Sequence, residues 1–144
     1  MARFSLGLLA CLVLGPFAAS AQVAPCPSGW LSHNGHCYGY FAQELSWQQA
    51  ETFCQSHNGH LASILSQGEH QAVADFLKGA QWWEQEDVWL GLFLPPHSQT
   101  WAWADGSLHF RRNWEHCAAM DDSYGFMLWD DESCHDRNPF LCKV

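Results

Sequence analysis

Seven cysteines in 144 residues constrain this chain more than any other feature. Cys11 belongs to an amino-terminal stretch built like an export signal. Arg3 supplies the positive charge, and Leu6 to Phe17 is apolar apart from Gly7, Gly15 and Pro16. Ala19-Ser20-Ala21 gives the small-x-small pattern of a cleavage site. The apolar stretch is too short to span a bilayer, and no later run of about 18 apolar residues follows. Residues 1–21 are therefore expected to be a signal peptide and residues 22–144 one exported domain with no membrane span. Cys26, Cys37, Cys54, Cys117, Cys134 and Cys142 remain after cleavage. An even set in an exported domain reads as three disulfides, for which spacing alone leaves fifteen pairings open. A zinc site is the rival, since His36, His116 and His135 neighbour cysteines. There is no Cys-x-x-Cys pair, however, and the compartment is oxidising.

The charge narrows the partners. The chain carries −9, and the leader removes one arginine and no acid, so the mature domain is more acidic still. Nucleic acid and anionic membranes require basic patches and are not expected partners. Cations, mineral surfaces or simple solubility remain. No Asn-x-Ser/Thr sequon occurs.

The chain shows no repeat, low-complexity segment or linker. Cys37 to Phe41 reads as a strand. Ser46 with Gln49 opens a helix bearing Trp47, Ala50, Phe53 and Cys54, which Asn58-Gly59 ends. Ser66 with Glu69 opens a second, with Val73, Phe76 and Leu77 on its apolar stripe and Gly79 as its stop. Val88 to Leu94 is a buried-strand pattern, and Asp105-Gly106 is a turn signal. Short strands follow around Cys117 to Met120, Phe126 to Trp129 and Phe140 to Lys143. Helices early and strands late predict an α+β domain.

Trp89-Leu90-Gly91-Leu92, Trp101-x-Trp103-x-Asp105-Gly106, Trp114, Trp129-Asp130-Asp131 before Cys134, and Phe140-Leu141-Cys142-Lys143 stand in the order of the landmarks of C-type lectin-like domains. The chain resembles that family over residues 26–144. The resemblance implies two helices packed on short antiparallel sheets. It also implies the pairing Cys26–Cys37, Cys54–Cys142 and Cys117–Cys134 of the long form. Cys26-Pro27-x-Gly29-Trp30, Cys37-Tyr38-Gly39-Tyr40-Phe41, Glu86-Asp87-Val88-Trp89 and Arg137-Asn138-x-Phe140 resemble the eggshell-matrix branch, the struthiocalcin and ansocalcin type. His116-Cys117-Ala118 is similar to the regenerating-protein branch. Trp89, Trp101, Trp103 and Trp129 are expected to pack in the core. Trp82-Trp83, between a helix and an acidic run, is a candidate exposed patch.

Sugar-binding members of the family hold calcium in a long loop. They use a Glu/Gln-Pro-Asn/Asp triplet, a Glu before the next cysteine, and the acids of the Trp-Asn-Asp motif. Here only Glu115 and His116 separate Trp114 from Cys117, so the loop is shortened and the triplet has no room. Glu115, Asp130 and Asp131 match the rest, a residual set able to hold calcium weakly. No cofactor is expected to be required beyond such weak calcium, and the usual calcium-dependent sugar binding is not expected. The remaining acids, Glu84, Glu86, Asp87, Asp121, Asp122, Glu132 and Asp136, are candidate mineral-binding residues. Such a set equally keeps an aromatic-rich secreted protein soluble.

No Gly-x-Ser-x-Gly or His-Glu-x-x-His is present, and the adjacent Asp130-Asp131 suits one metal rather than a scissile bond. The expected function is non-enzymatic. A secreted, acidic, mineral-associated matrix protein of the eggshell type, modulating calcium carbonate growth, ranks first. A soluble innate-immunity lectin for glycan or peptidoglycan with a degenerate calcium site ranks second. A loop-swapping protein-binding module ranks last, because the loop is short and no cysteine is spare. The expected assembly is a monomer with at most weak self-association.

Overall fold

The computed structural model describes residues 25–95, 97–107 and 116–144. The expected signal at 1–21, Trp114, Glu115 and most of the shortened loop lie outside these described residues.

The fold starts with a hairpin. Asn34 and Gly35 both take positive φ, 46° and 81°, the requirement of a two-residue turn that follows strand twist. They join β1 (Leu31–His33) to β2 (His36–Leu45). Ser46 then caps α1 (Trp47–Ser56), its hydroxyl accepting from Gln49 N while the Gln49 side chain accepts from Ser46 N. Two otherwise unpaired helix-end donors are satisfied this way. Asn58, at φ 66°, turns the chain into β3 (His60–Leu61).

The second helix, α2 (Gln67–Ala80), departs from expectation twice. Ser66 caps it by accepting from Glu69 N, but the Glu69 carboxylate does not return to the cap. It is taken instead by Leu65 N, Tyr38 Oη and Lys143 Nζ. Gly79 does not stop the helix, which runs on to Ala80 and closes at Gln81, whose N–H donates to Leu77 O. An exposed glycine costs a helix about 1 kcal/mol, less than Val73, Ala74 and Leu77 gain by burial on the same helix.

The strands β4 (Val88–Phe93), β5 (Ala102–Trp103), β6 (Cys117–Asp121), β7 (Leu128–Glu132) and β8 (Asn138–Lys143) complete the domain. The predicted strand at Phe126 to Trp129 begins later, because Phe126 sits at φ 65° in a turn and donates to Asp121 O. The eight strands among the described residues share one sheet, ordered β1-β2-β8-β4-β6-β7, with β3 on β8 and β5 on β4. β4 and β8 are parallel where Trp89 faces Phe140, and every other pairing is antiparallel.

The middle strands are buried on both faces, so apolar residues run without alternation. Val88, Leu90 and Leu92 of β4 join the cluster containing α2 residues Val73 and Leu77. Trp89 and Phe93 face the cluster of α1 residues Trp47, Ala50 and Cys54. β6 and β8 divide the same way: Met120 and Leu141 lie in the first cluster, Ala119 and Phe140 in the second. Trp89, Trp101 and Trp103 are buried, and Trp129 is half-buried. Gly91 is needed where β4 crosses β3, since a Cβ there would run into the Leu61 carbonyl.

The three disulfides pair as the resemblance implied. Cys26–Cys37 closes the hairpin, Cys54–Cys142 ties α1 to β8, and Cys117–Cys134 joins β6 to the turn after β7.

Candidate functional site

Five carboxylates from three chain segments gather at one end of the sheet. Asp87 immediately precedes β4, Asp121 ends β6 and Asp122 opens the short 3-10 turn after it, and Asp130 and Glu132 lie two apart on β7. In a strand, residues two apart share a face. Carboxylate oxygens of Asp87, Asp130 and Glu132 lie within 4.8 Å of one another, and so do those of Asp87, Asp121 and Asp122. Asp87 is thus common to both groups.

Backbone and amide donors hold the cluster in place. Asp122 N donates to Asp87 Oδ1 at 3.0 Å, Ser123 N to Asp121 Oδ1 at 2.8 Å, and Asn138 Nδ2 to Glu132 Oε1 at 2.9 Å. Among the described residues, no lysine or arginine forms an ion pair with any of the five. Partial burial, then the hydrogen-bonded Glu132, push Asp87 up to about 6. Burial and the neighbouring Asp87 do the same to Asp122, also to about 6. Burial and Asp121 raise Asp130 to about 6. The cluster is a hard-oxygen donor set with local negative charge that no lysine or arginine among the described residues pairs with, the chemistry that suits calcium.

The other sequence-predicted residues are distributed around it. Asp131 points to the opposite face of β7 from Asp130, and its Oδ2 lies 3.2 Å from His116 Nδ1. The structure therefore puts Asp130 with Asp87 and Glu132, and Asp131 with His116, while Glu115 is not among the described residues. Glu84 accepts from Tyr40 Oη at 3.2 Å. Glu86 follows it, raised by burial and by the carboxylates of Glu44 and Glu84. Asp136 lies in the exposed turn after β7, its N–H donating to Ser133 O. Trp82 and Trp83 are exposed, at 79% and 58%.

Sequence reading missed that Asp87 is the hub of the cluster, and that Asn138 holds Glu132. The parity of β7 could have shown that Asp130 and Glu132 act together and Asp131 apart. No sequence signal pointed to Asp87 above its neighbours.

Comparison with known proteins places the chain in a lineage. The Lectin C-type domain model matches residues 43–144. Dromaiocalcin-1 of Dromaius novaehollandiae is 43% identical over 141 residues, covering 90% of this chain and 98% of that protein. Regenerating islet-derived protein 4 of Homo sapiens is 39% identical over 150 residues, covering 94% of this chain and 92% of that protein. The crystal structure of ovocleidin-17, described as a major protein of the Gallus gallus eggshell calcified layer, superposes with a TM-score of 0.74 at 33% identity. That match covers 83% of this chain and 98% of ovocleidin-17. Both branches that the sequence resembles, the eggshell-matrix and the regenerating type, are therefore present among its relatives. With three disulfides, two helices and one shared sheet, the chain belongs to the C-type lectin domain family.

Proposed function

We propose that this chain is a secreted, non-enzymatic binding protein whose acidic face engages calcium at the surface of growing calcium carbonate. The observation that carries the reading is the gathering of Asp87, Asp121, Asp122, Asp130 and Glu132 with no lysine or arginine paired to them among the described residues. Each carboxylate–calcium contact is weak in water. Several held on one rigid surface add through effective concentration. The sheet and its disulfides fix the carboxylates in advance, so little entropy is lost on adsorption. Glu84, Glu86 and Asp136 extend the charged surface. The kinship with dromaiocalcin-1 and with ovocleidin-17, a major protein of the eggshell calcified layer, supports the same reading. No resident cofactor is required, because the calcium belongs to the mineral.

The test is calcium titration of the mature protein by calorimetry, followed by calcite-growth assays on the same samples. Wild type, Asp87→Asn/Asp130→Asn and Asp131→Ala are compared. The expected result is weak, multi-site calcium uptake and altered crystal growth, both reduced in the double variant. A single saturable site lost in Asp131→Ala, with crystals unaffected, would overturn the mineral role. It would favour a lectin acting through the residual set Glu115, Asp130 and Asp131, in keeping with the kinship to regenerating islet-derived protein 4.

A further inference from the structure

The loop after α2 carries two tryptophans that the fold does not use. Trp82 is 79% exposed and Trp83 58%. Their rings meet edge to face, with centroids 5.2 Å apart and planes at 76°. The loop is held at both ends by one buried amide. The Gln81 side chain donates to Tyr40 Oη at 3.0 Å and accepts from Glu86 N at 3.0 Å, while Glu84 N donates back to Gln81 O. Tyr40 Oη in turn donates to Glu84 Oε1. A loop tethered this way presents its indoles outward in a fixed arrangement. Large apolar surface kept in water next to built structure marks a contact site.

Beside the indoles is a concavity of about 310 Å³, lined by Lys78, Trp82, Glu84, Gln85, Asp122 and Phe126. Lys78 is engaged by Asp75, 3.2 Å away. Glu84 and Asp122 thus line the space next to an aromatic surface, and Asp122 continues into the acidic cluster through Asp87.

We infer that the Trp82–Trp83 corner and the carboxylates of Glu84 and Asp122 dock a basic segment of another protein, with an arginine seated against the indoles. Charge complementarity selects this occupant. The chain has 15 acidic residues against 6 lysines and arginines, so a second copy is repelled. A calcium ion uses the carboxylates and leaves the indoles idle. A neutral sugar uses an indole and gains nothing from the negative field. A guanidinium uses both: it stacks flat on an aromatic face and forks to a carboxylate. The inference shares Glu84 and Asp122 with the mineral reading but does not rest on it.

The test titrates the mature protein, in EDTA, with a short peptide of alternating glycine and arginine. Tryptophan fluorescence and calorimetry are the readouts. Peptides with lysine or uncharged citrulline in place of arginine are run alongside. The expected result is saturable binding, tightest for arginine and lost with citrulline. Trp82→Ala and Trp83→Ala should each weaken it about tenfold with calcite adsorption unchanged in both, and Glu84→Gln should weaken it less. Both indoles are solvent-exposed, so unchanged circular dichroism is expected to show intact folding. Five results would overturn the inference: no saturable binding of the arginine peptide; equal binding by the Trp82→Ala/Trp83→Ala double variant; equal binding of the citrulline peptide; a concentration-dependent dimer lost in Trp82→Ala; or N-acetylchitotetraose binding lost in Trp82→Ala.

Discussion

Lys143 Nζ lies 2.6 Å from Glu69 Oε2, and the two side chains are only 9% and 8% exposed. This pair joins β8 to the first turn of α2. It is completed by Tyr38 Oη donating to the same carboxylate and by Lys143 donating to Ser63 O and Oγ. Glu69, Tyr38 and Lys143 each find their partner within this network, so removing one strands the others.

Lys143→Ala should therefore cost about 3–5 kcal/mol in urea unfolding, because it leaves a buried carboxylate without its cation. Burial pushes Glu69 up. The Leu65 N–H, Lys143 and the Tyr38 hydroxyl together outweigh that and hold it below its ordinary value of 4.5. A carboxyl lowered on folding contributes stability that is present above its unfolded value and lost as pH falls through the folded one. Urea midpoints of wild type should fall below about pH 4.5, and Glu69→Gln should lack this part of the acid limb.

The acidic face has the opposite sign. Asp87, Asp122 and Asp130 titrate near 6, above the ordinary 3.8, so the folded state binds protons more readily than the unfolded one. Their destabilising contribution is fully present above about pH 6.5 and is relieved as pH falls toward about 4. Asp87→Asn should raise the Tm by a few degrees at about pH 7.5 and change it little at about pH 4.5, as read by calorimetry. Protons compete with metal at these oxygens, so calcium uptake should fall by half near pH 6 rather than near 4.

Two glycines should respond in opposite directions to the same change. Gly91→Ala forces a Cβ against the Leu61 carbonyl and should cost about 1–3 kcal/mol or prevent folding. Gly79→Ala adds a Cβ into open space on α2 and should stabilise by up to about 1 kcal/mol. Chemical denaturation of both variants checks the pair.

Loss of the Cys54–Cys142 bridge, 88 residues apart, should cost more than loss of Cys26–Cys37, 11 apart. The chain-entropy model gives about 4–5 against about 3 kcal/mol. Thermal melts of the two double-serine variants measure the difference.

What could be read from the sequence was whatever a local segment fixes by itself. Ser46 and Gln49 announced α1 because a capping box needs only four consecutive residues. Val88 to Leu94 declared a buried strand because both its faces meet core. The Trp-Leu-Gly-Leu and Phe-Leu-Cys landmarks supplied the fold and the disulfide pairing. What stayed hidden depended on distant partners. Glu69 looked like half of a capping box, and only the approach of Tyr38 and Lys143 explains why its carboxylate turns inward. Asp87 became the hub of the acidic face because sheet order sets β4 beside β6 and β6 beside β7. The Gly79 stop was misjudged because helix length was decided by burial of Val73, Ala74 and Leu77 rather than by the glycine.

The position of β8 bears on how the protein is made. It lies between β2 and β4 and also pairs with β3, yet it is the last of the described strands to leave the ribosome. Until it arrives, β2 and β4 have an open gap between them. During that interval Cys54 has no correct partner, while Cys26, Cys37, Cys117 and Cys134 are already within reach. Oxidation in order of emergence would trap wrong pairs. Correct maturation would then depend on reshuffling, which takes seconds to hours and is set by the oxidant and isomerase present.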